Sequence, residues 1–361
     1  MVWLAPPGAP TLIPLEEGVP MKKTIFLFCA ALLVLGCCLP LAGYYITRAV
    51  LGPAAPQPVD SGAVSAPEPG GLGGLFSDQA EAAPAEEVLL RDAASGLDFT
   101  LTLREYLIGA VSSEMPVSWP DEALKAQAVA CHSYILYCRD HRESESDPWL
   151  SVDPARRQGC MTDAVLRSYW GTAYDQNYAR MSALIDQVLE QVLYYDGAPA
   201  GASYFAISNG RTESSENVWG TALPYLSPVD SSTDRQADNY EVTVTFSADQ
   251  IKTALANNLG IAVGDTAPEN WFGAASYTDS GYVANQTVCG QAVSGTALRS
   301  ALGLRSACFS IVRQGDGFSI TTLGYGHGVG LSQWGAKALA EQGAGYEEIL
   351  AHYFPGTTLS P

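Results

Sequence analysis

Glu114 is the lone acid in VSSEMPVSWP (111–120), and its surroundings constrain it from both sides. A helical pattern over 104–113 sets Tyr106, Leu107, Ala110 and Val111 on one face. Pro116 then excludes Met115 from the helical region and ends the helix. Glu114 is thus expected at a helix C-terminal end, where the dipole disfavours a further negative charge. A carboxyl there should have a raised pKa, which suits a general acid near neutral pH. An ordinary solvated glutamate at an exposed helix end accounts for the same pattern. On the following helix Lys125 and His132 stand seven residues apart, about 20° apart around the axis, sharing a stripe with Ala128 and Val129. Lys125 could orient a sugar hydroxyl or N-acetyl group, or be a solvated lysine; His132 could equally be a satisfied, partly buried histidine.

Two further stretches gather polar groups. SNGRTESSENVWG (208–220) holds Ser208, Arg211, Glu213 and Glu216 among turn formers, and reads either as a site or as a capped polar loop. GYGHGVGLSQWGAKAL (324–339) has glycines at 324, 326, 328 and 330 around His327 and ahead of Gln333. It lacks the Gly-Lys-Ser/Thr of a phosphate loop and the spacing of a dinucleotide fingerprint. Alternate glycines instead permit close approach by a ligand or by a neighbouring segment. No cofactor is expected. Cys131, His132, Cys138 and His141 do not make a zinc site, because His132 and Cys138 are six apart and on different faces.

These residues need elements to hold them. VLLRDAASGLDFTLTL reads as two strands about a Ser95-Gly96 turn. A helix is expected from about Trp119 to Arg139, capped by Ser118 with Asp121 and with Pro120 in its first turn. A polar loop over 144–158 leads to a helix over 177–193. EVTVTF (241–246) alternates as a half-buried strand, and SADQIKTALANNLG is a capped helix closed by Gly260. A strand–turn–strand over 277–295, a helix in TALRSALG, and helices over 333–342 and 346–353 complete the pattern. Strands and helices mix without a βαβ repeat, so the expected class is α+β in a single domain over 88–361.

The 361 residues carry a net charge of −19 and a pI of about 4.4, which leaves no electrostatic footprint for nucleic acid. An anionic ligand would need a local cationic groove. Lys22-Lys23 precede an uncharged run of 23 residues, 24–46. That is long enough to span a bilayer, and the lysines orient the remainder outside the cytoplasm. An uncleaved anchor over 21–50 is expected; VLGCC offers lipidation at Cys37 as a rival. Residues 1–20 show no interpretable pattern, and Met21 is a candidate start. The Pro/Ala/Gly-rich run 51–87 reads as a linker. Outside the anchor, five cysteines without a CxxC read as buried thiols by default, with Cys289–Cys308 as the one disulfide considered.

EYLIGAVSSEMPVSWPDEALKAQAVACHSYIL, SNGRTESSENVWGTALPYLSPVDS, ALRSALGLRSACFSI and GYGHGVGLSQWGAKALAEQGAGYEEILAHYFPGTTL resemble, in order, the signatures of the stage II sporulation protein D family, which includes the amidase enhancers. The resemblance implies a membrane-bound peptidoglycan lytic transglycosylase acting during sporulation engulfment. It would cleave the bond between N-acetylmuramic acid and N-acetylglucosamine in glycan stripped of stem peptides. Glu114 matches the family's catalytic glutamate and Lys125 its helix lysine; His132 stands where the family has arginine. Lys125, His132, Ser208, Arg211, His327 and Gln333 are then the expected substrate contacts. Some members bind zinc near the position of Cys160, but SVDPARRQGCMT has no second ligand, so no metal is carried over. Implied partners are glycan strands, the cell membrane, a cell-wall amidase (stage II sporulation protein P) and stage II sporulation protein M. The implied location is the membrane facing the intermembrane space of the sporulating cell. A non-catalytic glycan-binding amidase enhancer and a septal scaffold are the alternatives.

Overall fold

The computed structural model describes residues 86–361; the anchor, residues 1–20 and nearly all of the linker lie outside the described residues. Strand β1 (Glu87–Asp92) buries Val88 and Leu90, and pairs antiparallel with β2 (Asp98–Thr102) across the turn at Gly96. Thr102 ends the strand and caps the next helix, α1 (Leu103–Glu114). Its hydroxyl accepts the Glu105 N–H, and the Glu105 carboxylate accepts the Thr102 N–H. That reciprocal pair satisfies two of the free donors of the first turn. Met115 leaves the helix in extended backbone, φ −127° and ψ 141°, as the following proline requires.

Helix α2 (Asp121–Asp140) starts two residues later than expected, with Pro120 at its cap position and no side-chain cap. The Ser118 cap is therefore corrected. Arg180 holds this corner instead, donating to the carbonyls of Val117 and Trp119 and to the Asp121 carboxylate. Inside the expected polar loop, β3 (Leu150–Val152) adds to β1 in parallel; three residues are too few to show a period. Helices α3 (Asp163–Trp170) and α4 (Tyr174–Val188) follow. The expected helix over 177–193 ends early because Val192 onward enters strand β4 (Val192–Tyr195).

Helices α1, α2 and α4 build the main core, in which Tyr106, Leu107, Val111, Leu124, Val129, Ile135 and Met181 are buried. Burial of such side chains contributes about 1.5–3 kcal/mol each. Strand β5 (Ala198–Pro199) pairs with β4, and β6 (Tyr204–Phe205) and helix α5 (Ser215–Trp219) lead to a second, smaller cluster. There β7 (Glu241–Ser247), helix α6 (Ala248–Leu259), the meander β8 (Phe272–Tyr277), β9 (Val283–Val288) and β10 (Gln291–Ser294), helix α7 (Gly295–Leu302), and the hairpin β11 (Phe309–Gln314) and β12 (Gly317–Leu323) enclose Ile251, Leu255, Leu298, Phe309, Phe318 and Ile320. The 309–323 hairpin is not anticipated by the sequence pattern.

The chain then returns through β13 (Leu331–Ser332), parallel to β6, and helices α8 (Gln333–Glu341) and α9 (Tyr346–Tyr353). The last strand, β14 (Thr358–Ser360), pairs with β4. The small sheets of two or three strands and the separate helices make the α+β class that the sequence implies. Cys131, Cys138, Cys160, Cys289 and Cys308 are free thiols. Among the described residues no helix is long and apolar enough to cross a membrane, and no three His, Cys, Asp or Glu side chains cluster as metal ligands.

Candidate active site

Glu114 is the last residue of α1 and is half-buried, with its carboxyl turned toward α8. Gln333, the first residue of α8, donates from Nε2 to Glu114 Oε2 at 2.9 Å. Burial raises the Glu114 pKa above the ordinary carboxylate value, and the Gln333 hydrogen bond opposes that rise. The direction matches the expectation from the helix end, but desolvation is the principal cause. The 115–120 turn beside it is clamped by Arg180, so the carboxyl sits on a fixed corner.

Aromatic surface adjoins this pair. Trp119, in the same turn, meets Trp334 of α8 edge-on, with centroids 5.6 Å apart. Lys337 lies over the Trp334 ring at 4.9 Å, and its ammonium pairs with Glu341 at 2.8 Å. Tyr204 is the other neighbour: burial, reinforced by charge at Cys131 and Glu114, pushes its phenol well above the usual value. Neither tryptophan nor Tyr204 stood out in the sequence, because their common neighbourhood depends on tertiary contact.

Gln333 is aimed by a buried carboxylate. Asp234 Oδ2 accepts the Ser332 hydroxyl and the Ser208 N–H, both at 2.7 Å. Ser332 in turn caps α8 by accepting the Gly335 N–H. Burial raises the Asp234 pKa, against the hydrogen bonds from Ser208 and Ser332. The chain of contacts runs Ser208, Asp234, Ser332, Gln333, Glu114. Asp234 escaped the sequence reading; in VDSSTDRQ nothing marks it as the buried one of two acids, Asp230 and Asp234.

The other expected contacts each have partners within the protein. Lys125 Nζ pairs with Glu122 at 2.7 Å and lies 5.8 Å from the Tyr346 ring centroid, while Glu122 also accepts the Tyr346 N–H. These contacts join α2 to the start of α9. His132 is buried, with Nδ1 3.0 Å from the Gln191 carbonyl, and burial lowers its pKa to about 4. It lines a cavity of about 700 Å³ with Thr102, Leu103 and Arg104 at the opposite end of α1 from Glu114, some ~16 Å along the helix. Ser208 is fully buried, and its hydroxyl accepts the Gly210 N–H. Arg211 is exposed and pairs by backbone with Asp230.

The glycine run fits against the 203–208 segment. Gly330 has φ +82°, and a Cβ there would lie 2.1 Å from the Ser203 carbonyl oxygen. Ile207 bridges Tyr325, and Leu331 pairs with Tyr204. Of the two readings of these glycines, the neighbouring-segment one describes the contacts observed. His327 is committed at both nitrogens: Nδ1 accepts the Val329 N–H at 3.1 Å, which assigns the proton to Nε2, 3.0 Å from the Tyr204 carbonyl. Burial lowers its pKa to about 4, so the ring is neutral. It lines a cavity of about 330 Å³ of mixed polar and apolar character, together with Glu213, Asn217, Thr278, Val218 and Val283. Glu213 is buried there, accepting from Ser214 N–H, Asn217 Nδ2 and Thr278 Oγ1.

Residues 98–195 match the family model of the stage II sporulation protein, SpoIID. The chain is 34% identical over 284 residues to stage II sporulation protein D of Bacillus subtilis (strain 168), covering 78% of this chain and 80% of that protein. It is 37% identical over 262 residues to stage II sporulation protein D of Bacillus amyloliquefaciens, covering 72% and 74%. The amidase enhancer of Bacillus subtilis (strain 168) is 27% identical over 312 residues, covering 70% of this chain and 40% of that protein.

Proposed function

Because the chain belongs to the stage II sporulation protein D family, we propose that it is a sporulation-stage peptidoglycan lytic transglycosylase with Glu114 as its single acid and base. The observation that carries this reading is the partly buried Glu114 carboxyl, held by one neutral donor on a clamped helix end. A carboxyl biased toward its neutral form can protonate the glycosidic oxygen as the bond to the muramic C1 breaks. The carboxylate so formed then takes the proton of the same sugar's C6 hydroxyl as that oxygen bonds to C1. Glu114 ends protonated, no water is consumed, and the product carries a 1,6-anhydro ring. Hydrolases that use two flanking carboxylates reach a different product. The Trp119–Trp334 pair supplies an apolar platform suited to the faces of sugar rings.

Gln333 acts in this reading as a positioning residue for Glu114. Glycan strands stripped of stem peptides are the substrate, and the domain works outside the cytoplasm behind the anchor at 21–50. The cell membrane, the amidase called stage II sporulation protein P, and stage II sporulation protein M remain the proposed partners. The similarity to an amidase enhancer favours one alternative, a protein that holds glycan without cleaving it. Glu114→Gln separates the two. Gln keeps size and hydrogen bonding but carries no transferable proton, so formation of anhydro-muramoyl ends should fall by about 100-fold or more, with strand binding retained. Equal product from both proteins, or none from wild type, would leave the binding reading ahead.

A further inference from the structure

The cavity of about 700 Å³ at the opposite end of α1 from Glu114 has aliphatic walls: Leu103 from the first turn of α1, Leu136 from α2, and Leu189 and Val192 from the passage between α4 and β4. Pockets that hold small ligands run to about 300–1,000 Å³ and are mostly apolar, with a few placed polar groups. Two arginines reach its lining, and both are paired. Arg104 binds Asp186 through two nitrogens at 2.6 and 2.9 Å, and Arg139 binds Asp140 at 2.8 Å and Glu86 at 3.1 Å. His132, only 4% exposed, brings a polar edge to these walls. Its Nδ1 lies 3.0 Å from the Gln191 carbonyl, which can only accept, so Nδ1 carries the proton. Burial keeps the ring neutral, and Nε2 is left as a bare lone pair. Among the described residues Nε2 has no hydrogen-bond partner, and it is not sealed off as Gln127 Oε1 and Tyr106 Oη are.

An acceptor held among aliphatic side chains is costly until a donor reaches it. We propose that this cavity is a binding site for an uncharged amphiphile, an apolar chain bearing one hydroxyl whose O–H donates to His132 Nε2. The charge of the ligand follows from the lining. A carboxylate or phosphate would set its own lone pairs against Nε2, and would find both arginines already paired. An ammonium would have to leave water for aliphatic walls and two guanidinium groups. A plain hydrocarbon would cover Nε2 without giving it a partner. Acylglycerols and prenols share the chemistry that remains, a long apolar body with a hydroxyl. The site lies ~16 Å along α1 from Glu114, so it stands or falls independently of the lytic reading.

The test uses the full chain in phosphatidylcholine nanodiscs and three photoreactive probes: a decyl alcohol with a mid-chain diazirine, its methyl ether, and the matching carboxylate. Labelled residues are mapped by mass spectrometry. Each probe's yield at Leu136, Leu189 and Val192 is divided by its yield at Val244 and Val312, which are exposed elsewhere on the same chain. In wild type the alcohol should label the cavity about fivefold more than the ether, the worth of one hydrogen bond, and the carboxylate no more than the ether. His132→Phe keeps an aromatic ring without the lone pair, and should bring the alcohol down to the ether. Leu136→Trp fills the cavity, and should abolish label at Leu189 and Val192 while Val244 and Val312 keep theirs. Unlabelled monodecanoylglycerol and farnesol, added separately as competitors, tell an acylglycerol from a prenyl alcohol. Equal labelling of wild type by alcohol and ether, strongest labelling by the carboxylate, an undiminished alcohol preference in His132→Phe, or competition by neither lipid overturns the site.

Discussion

Glu114 is subject to two opposed influences: burial favours its neutral form, and the Gln333 donor favours its charged form. Both have measurable consequences. In Gln333→Leu the opposing hydrogen bond is gone, so the Glu114 pKa should rise further. The proposed reaction requires Glu114 protonated in the free protein, so its kcat/KM should fall as pH rises through that pKa; in the variant the fall should move to higher pH. An unmoved alkaline limb would separate Gln333 from the acid. Stability supplies a readout that needs no substrate. The folded pKa lies above that of the unfolded chain, so the burial penalty is absent below about pH 4, where both states are protonated. It grows as pH rises through the folded pKa. Glu114→Gln should therefore melt at a higher temperature than wild type at pH 7, with the gain vanishing in acid. At this scale the sequence revealed the carboxyl but not its keeper. A helix pattern stopped by proline is local information, whereas Gln333 meets Glu114 across 219 positions of chain. Lys125 illustrates the converse: its stripe on α2 was legible, and its pairing with Glu122 was not.

Elements transmit that geometry through close backbone contact. Helix α8 must present Gln333 at one point, and its start is fixed by the Ser332 cap, by Asp234 and by the parallel pairing of β13 with β6. Gly330 sits immediately before β13, where φ +82° and the Ser203 carbonyl leave no room for a side chain. Gly330→Ala should cost about 2 kcal/mol or more, combining left-handed strain with overpacking, and thermal or denaturant melting reads it directly. An unchanged melting midpoint would show that the 203–208 segment yields, and that the glycines leave space for something other than the fold. The alternation of glycines was plain in the sequence, but their partner was ambiguous because absent side chains fit a ligand and a neighbouring strand alike. The same limit hid β3 and the 309–323 hairpin, which depend on pairing with β1 and β7. The capped helix over 248–259 was legible because Ser247, Gln250 and Gly260 carry both ends locally.

At the scale of the molecule, charge and chain order decide where this chemistry could occur. The chain's net charge of −19 disfavours approach to anionic polymers and anionic lipid headgroups, which a tether holding the domain close would offset. A tether would act by raising the local concentration of the domain at the wall. Glycan lies outside the cytoplasmic membrane, which makes orientation a requirement of the proposed activity. Lys22 and Lys23 ahead of the uncharged run 24–46 argue for a cytoplasmic N-terminal side, leaving 51–361 on the outer side. Protease added to intact protoplasts expressing the full chain should therefore remove the domain over 86–361 while a cytoplasmic control survives. Release of that domain by high salt without protease would point to peripheral attachment in place of a spanning segment. Protection of the domain, with an outward-facing control digested in the same sample, would put Glu114 on the side of the membrane where there is no peptidoglycan, and the lytic reading would fall with it.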